Sequence, residues 1–325
     1  MKKVGIIGVG GYLPDKVLTN LDLEKIVNTS DEWITTRTGI KTRRLVSKGQ
    51  AASDLATFAA KQALKDAKLA PADLDLIIVA TITPDMQFPS TACFVQNNIK
   101  AKNAICFDIS AACAGFVYAL VIAQQFIARG TYNNALVIGS EVLSTITDWQ
   151  DRNTCVLFGD GAGAAVLSTV KSGGIISTYL GSDGSLSGLL LLPGGGSRHP
   201  ASSYSLDNRL HYIKMRGNEL FKHAVKIMTK AAQKALNLAG LDCKDVDWVI
   251  PHQANIRILM SMAKKLDIPK ERIYLNIDKY GNMSSASTAV ALCEAIKTKR
   301  IKKGDIVLLD AFGGGLVWGA CVIKW

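Results

Sequence analysis

Histidine is scarce in this chain: only His199, His211, His223 and His252 occur in 325 residues. The seven cysteines (93, 106, 113, 155, 243, 293 and 321) form no CxxC pair. So few ligands, so scattered, argue against a bound metal. An odd number of cysteines in apolar surroundings argues against a disulfide framework and for reduced thiols in the cytoplasm. Aromatic residues are only 7% of the chain, and no helix-turn-helix, zinc-finger, RNP or basic-aromatic run is present. The formal charge of +11 is therefore read as attraction for acidic or phosphorylated partners, and not for nucleic acid. Long apolar runs are also missing. The best, residues 114–123, stops at Gln124-Gln125, short of the roughly 20 residues of a membrane span. The apolar start, residues 1–8, superficially resembles a signal peptide. It is short, broken by glycines and runs into Tyr12 and Pro14, so it reads as a first strand.

Alanine, glycine and aliphatic residues are plentiful. Hydrophobic residues make up 48% of the chain and the mean hydropathy is +0.18. That composition suits closely packed α/β layers with a large core. Residues 63–78 resemble residues 235–250, with Ala67/Ala239, Leu69/Leu241, Asp73/Asp245, Asp75/Asp247 and Ile78/Ile250 all matching at an offset of 172. The same offset pairs Ala119-Leu120 with Ala291-Leu292. A shorter offset relates FGDG at 158–161 to FGGG at 312–315. Such self-similarity predicts an internal duplication, divided near Ser168 to Gly174 into halves 1–170 and 171–325. Alternating strands and helices predict layered sheets whose reactive loops gather at strand carboxyl ends, facing one cleft.

Four stretches carry candidate chemistry. In FDISAACAGF, residues 107–116, Cys113 falls where a buried strand turns into an apolar helix. Unpaired N–H groups and the helix dipole there favour a thiolate, and small neighbours leave room for substrate. A buried structural cysteine is the bland alternative. In VIPHQAN, 249–255, His252 follows a strand, with Asn255 opening the next helix. In NIDKYGNMSSAS, 276–287, Asn282 precedes an Ala-rich helix that mirrors the Cys113 helix. In DAFGGGLVWG, 310–319, three glycines separate two apolar strands, either as a bend or to aim a backbone N–H at an oxyanion. Trp33 and Arg37 lie four apart on a short helix capped by Ser30 and ended by Gly39. They offer a stacking and phosphate-pairing face, or simply a tryptophan covered by an arginine stem.

Together, AACAGF, PHQAN, KYGNMSSAS and AFGGGLVWG, with DEWITTRTGI at 31–40, FPSTAC at 88–93 and DGAGAAVL at 160–167, resemble β-ketoacyl-acyl-carrier-protein synthase III. That family belongs to the condensing enzymes of the thiolase superfamily. The resemblance implies a duplicated five-layer α/β/α/β/α fold and a cofactor-free, homodimeric enzyme. It implies that Cys113 accepts an acyl group from acyl-CoA, acetyl-CoA being the expected primer. His252 and Asn282 would then stabilise the enolate formed when malonyl-acyl carrier protein loses CO2, and the N–H groups of Cys113 and Gly314 would form the oxyanion hole. Trp33, Arg37, Arg152 and Asn218 match positions that bind coenzyme A, and Phe88 one that closes the acyl pocket of a partner subunit. Lys222, Arg257, Lys264 and Lys265 match a basic surface that docks acidic carrier protein.

Three other readings stand beside this one. A related synthase with the same Cys-His-Asn set could make a polyketide or other specialised product. A thiol hydrolase would need a water path and a base for its cysteine, whereas the Ala-rich, helix-end setting favours condensation. A basic nucleic-acid-binding protein would leave the four motifs without a reason.

Overall fold

The computed structural model describes residues 2–325. The first half forms one five-stranded sheet from β1 (Val4–Tyr12), β2 (Leu76–Ala80), β3 (Ile105–Ile109), β4 (Ala135–Val142) and β5 (Asp160–Thr169), in the order β1-β5-β4-β2-β3. The second half forms another from β6 (Gly174–Ser182), β7 (Trp248–Pro251), β8 (Ile306–Gly313) and β9 (Val317–Lys324), in the order β6-β9-β8-β7. A parallel bridge from Val249 to Ile273 stands where the fifth strand would be. The orders match one for one. The directions match too: β2 runs parallel to β4 and β7 parallel to β8, while the β4–β5, β5–β1, β8–β9 and β9–β6 pairs are antiparallel. The 172-residue offset is thus a real structural repeat, in which Trp248, the first residue of β7, corresponds to Leu76, the first of β2. The shorter echo is not. Phe312 lies inside β8, paired with Trp318, whereas Phe158 lies ahead of β5 and bridges to Asn282.

Seven helices build the layers: α1 (Asp31–Thr38), α2 (Ala52–Ala67), α3 (Thr91–Ile99), α4 (Gly115–Arg129), α5 (Gly217–Ala239), α6 (Ile256–Leu266) and α7 (Ser285–Lys297). Helices α2 and α3 cover the outer face of the first sheet, α5 and α6 the outer face of the second, and α4 and α7 lie between the sheets. This is the duplicated five-layer α/β/α/β/α arrangement. The sequence explains the middle layer. Helix α7 is buried along almost its whole length and built from Ser, Ala, Thr and Val. A Cβ on Gly139 of β4 would sit 2.5 Å from the Ser285 carbonyl, and one on Gly163 of β5 would sit 2.5 Å from the Ala289 Cβ. Small helix residues over strand glycines let two sheets share a thin helical layer, which is why aromatics are few.

One reading of the sequence needs correction. The helical stretch Ala112–Arg129, 18 residues long, is apolar enough to cross a membrane by length and composition. Its position accounts for that character: it packs between the two sheets in the shared core, and its exposed positions are the polar Gln125 and Arg129.

Candidate active site

Cys113 sits in a single 3-10 turn, Ala112–Ala114, between β3 and α4. Ala112 enters it at φ +42°, a left-handed conformation unusual for alanine. On the other side of the turn, a Cβ at Gly313 would lie 2.5 Å from the Cys113 amide nitrogen. Only glycine lets β8 approach so closely. Gly314 lines an apolar chamber beside Cys113. The tool of the turn is a thiol 7% exposed. Burial pushes its pKa up to about 12, against the helix-end effect expected from sequence.

His252 follows β7 directly. Its amide donates to the Asp310 carbonyl at 2.7 Å, which fixes the loop to β8. The loop is also held by Gln253, whose amide donates to Pro251 and Tyr274 carbonyls and accepts from the Asn276 and Ile277 amides. The imidazole stands edge-on to Phe312, centroids 6.2 Å apart. It is 1% exposed, and burial lowers its pKa to about 3. At neutral pH it is an uncharged ring with one N–H to donate.

Asn282 belongs to the second half but is held by the first. Its amide donates to the Leu157 carbonyl at 2.8 Å and its carbonyl accepts from the Gly159 amide at 3.0 Å. Its side-chain Oδ1 accepts from the Ser284 amide at 2.8 Å. With the oxygen so engaged, the NH2 group is the end left to face a ligand.

Cys113, His252 and Asn282 line one cavity of about 870 Å³, together with Trp33, Arg37, Asn218, Lys222, Arg257, Phe158 and Gly313. The apolar chamber, about 340 Å³, shares Cys113, Phe158 and Leu190 with it and is walled by Ile82, Leu143, Ile146, Ile213 and Val317. Cys113 therefore stands where the long cavity meets the chamber. The cavity mouth is formed by α1, α5 and α6. There the guanidinium carbons of Arg37 and Arg152 each lie 4.9 Å from the Trp33 ring centroid. Lys264 and Lys265, in the last turn of α6, are exposed and lie outside the cavity lining. Phe88 is 83% exposed and touches neither cavity of its own chain. Among the described residues, no group of three His, Cys, Asp or Glu side chains is arranged to hold a metal ion.

Sequence reading placed Phe312 and Gly313 in a candidate stretch but assigned no site role to Phe158 or Glu141. Gly313, Phe158 and Phe312 border the reactive groups only because distant strands converge. Glu141, wholly buried in β4, lies under the Cys113 turn. Its acidic side chain inside an apolar strand was a visible signal.

A duplicated five-layer fold with a cysteine, a histidine and an asparagine around one cavity defines a condensing enzyme of the thiolase type. Comparison with known proteins narrows the class. Residues 107–184 match the family 3-oxoacyl-(acyl-carrier-protein) synthase III, and residues 236–325 match its C-terminal part. The β-ketoacyl-acyl-carrier-protein synthase III of Caldanaerobacter subterraneus subsp. tengcongensis is 59% identical, over 99% of this chain and 97% of that one. The crystal structure of 3-oxoacyl-acyl-carrier-protein synthase III from Aquifex aeolicus is 53% identical with a TM-score of 0.92, covering 99% of this chain and 100% of that one. The priming β-ketosynthase of the R1128 polyketide pathway superposes with a TM-score of 0.93 at 32% identity, covering 99% and 96%. The chain belongs to the β-ketoacyl-acyl-carrier-protein synthase III family. It is a condensing acyltransferase of fatty-acid synthesis and carries out the initiating condensation.

Proposed function

We propose that Cys113 is the nucleophile, that acyl-CoA enters through the 870 Å³ cavity, and that the acyl group rests in the apolar chamber. The observation that carries this reading is the place of Cys113 at the junction of cavity and chamber, with His252 and Asn282 beside it. Acetyl-CoA is the primer we assign. The coenzyme's adenine stacks on Trp33. The Arg37 and Arg152 guanidinium groups, each 4.9 Å from that ring, hold the adenine and the phosphates with it. Asn218, at the start of α5, lines the path of the pantetheine arm.

Thiolate attack forms the Cys113 thioester, and CoA leaves as its thiol. Malonyl-acyl carrier protein then takes the same cavity, its acidic carrier docked on Lys222 and Arg257 at the mouth, with Lys264 and Lys265 extending the basic face. As the C–CO2 bond breaks, its electron pair becomes an enolate whose oxygen accepts hydrogen bonds from His252 and Asn282. Both are neutral donors in a buried site, so they favour charge that develops only in the transition state. The enolate carbon attacks the Cys113 thioester, and the N–H groups of Cys113 and Gly314 hold the oxyanion. The residues themselves supply every step, with no further cofactor. Each half, 1–170 and 171–325, gives part of the set. Two copies pair through the exposed rim around Phe88 and the open edge of β3, in the cytoplasm.

The specialised-product reading has one observation in its favour, the fit to the polyketide priming synthase. A primer panel tests both. With acetyl-CoA and malonyl-acyl carrier protein, a β-ketoacyl carrier product is expected, with an acetyl mass on Cys113. Acylation by specialised primers alone would favour the second reading.

A further inference from the structure

Arg43 is the largest fully buried side chain among the described residues. It lies on the short strand Thr42–Leu45, which pairs with Lys16–Thr19. The hydrogen bonds of its guanidinium go to neutral oxygens. Nη1 donates to Asn20 Oδ1 at 2.8 Å and to the Leu18 carbonyl at 3.4 Å, and Nη2 to the Val156 carbonyl at 2.6 Å. Burial lowers its pKa to about 10, so it is charged at neutral pH. An ion buried without a counter-ion is costly to hold, and its charge-assisted bonds fix their acceptors firmly. The question is what those acceptors position.

Val156 opens the segment from which Asn282 hangs. The Asn282 amide donates to the Leu157 carbonyl at 2.8 Å, and its carbonyl accepts from the Gly159 amide at 3.0 Å. Arg43 therefore fixes the peptide next to the one that holds Asn282. Two glycines make room for its stem. A Cβ on Gly159 would lie 3.1 Å from the Arg43 Cβ and 2.5 Å from the Tyr280 carbonyl, and one on Gly281 would lie 3.5 Å from the Arg43 Cβ and 2.7 Å from the Leu157 carbonyl. The neighbours of Arg43 brace the other side of the same bridge. The Lys41 amide donates to the Asp278 carbonyl at 2.9 Å, and Thr42 Oγ1 to the Lys279 carbonyl at 2.7 Å. Asn20 anchors the far end: 1% exposed, its Nδ2 donates to the Ile40 carbonyl and to Asp31 Oδ1, each at 2.8 Å. Cys113 is held elsewhere, in its own turn against Gly313 of β8.

We propose that Arg43 is a positioning residue for Asn282: through the 156–159 segment it sets where the Asn282 amide stands when the enolate forms. The proposal rests on Asn282 being a donor to that enolate. Arg43 lines neither cavity and touches no substrate. The bond it aims is made to charge that develops only in the transition state. A displaced Asn282 therefore lowers kcat for decarboxylation and leaves the KM for malonyl-acyl carrier protein unchanged. It also leaves acylation of Cys113 untouched. A residue that merely fastened the strand to the fold would weaken both half-reactions together.

Arg43→Met keeps an unbranched stem and removes the donors. In a Cys113→Ala background, where CO2 release reports decarboxylation alone, kcat is expected to fall by about 10–10²-fold at unchanged KM. With Cys113 present, single-turnover acylation by saturating acetyl-CoA, read by mass spectrometry, is expected to keep the wild-type rate. Adding Arg43→Met to Asn282→Ala should cost nothing further, because the group it positions is already gone. Thr42→Val deletes one bond at a half-exposed position and should give the same pattern with a loss of about threefold. Equal losses in the two half-reactions, a raised KM in place of the lowered kcat, or full additivity with Asn282→Ala would overturn the proposal. If Arg43→Met fails to fold, Thr42→Val decides by the same three readouts. An Asn282→Ala enzyme that decarboxylates at the wild-type rate would remove the Asn282 assignment itself.

Discussion

His252 illustrates how burial selects a role. An exposed imidazole, at its ordinary pKa of 6.5, would be half charged near neutrality, but this one is lowered to about 3 by desolvation. Condensation should therefore show no loss of activity from His252 protonation as pH falls through 6.5, measured as initial rate of CO2 release. Stability behaves differently. The unfolded chain binds a proton at this residue below pH 6.5 and the folded chain does not. Its contribution is therefore present above pH 6.5 and lost as pH falls toward 3. Denaturant midpoints measured across that window should decline more steeply for the wild type than for His252→Phe. Asn282→Ala removes one of two donors to the enolate. We expect it to lower decarboxylation by about 10²–10³-fold while acylation of Cys113 persists, a separation read by mass spectrometry and CO2 release in parallel.

Among the elements, the two central helices do the positioning. Each is preceded by a left-handed residue, Ala112 or Ser284, and Ser285 of α7 donates its hydroxyl to Glu141 at 2.9 Å. Their packing depends on strand glycines. Gly163→Ala, which would drive a Cβ into Ala289 of α7, is expected to destabilise the fold by about 1–3 kcal/mol, measured by urea denaturation. The repeat that carries these helices was legible in the chain because Ala67/Ala239 and Asp75/Asp247 lie at helix ends and strand starts, where spacing is rigid. The motifs around Cys113, His252 and Asn282 were legible for a related reason: each sits at the junction of two regular elements. The place of Glu141 and Phe158 at the site was not, although an acidic residue in an apolar strand already marks Glu141 as unusual. They meet the site through β4 and through the Leu157–Asn282 backbone pairing, contacts between segments more than 120 residues apart. The helix end before Cys113 is visible in sequence, whereas the desolvation that acts against it is not.

For the whole molecule, the layered duplication places a thiol from one half against a histidine and an amide from the other. One edge of the first sheet is β3, whose first residue, Ile105, is 46% exposed, and the segment leading into α3 exposes Met86 at 49% and Phe88 at 83%. An apolar edge of this kind invites pairing with a second copy. Sedimentation should give a particle of twice the 34.9 kDa chain mass, and Phe88→Asp should shift it toward monomer and slow acylation. The positive mouth predicts that binding of an acidic carrier weakens with salt.

The central claim is that Cys113 holds the acyl group that His252 and Asn282 help to extend. The most direct measurement is CO2 release from malonyl-acyl carrier protein together with the mass of Cys113 after exposure to acetyl-CoA. The account predicts an acetyl-Cys113 adduct that disappears as β-ketoacyl carrier protein forms. An unmodified Cys113, or an adduct that yields only free acetate, would contradict it.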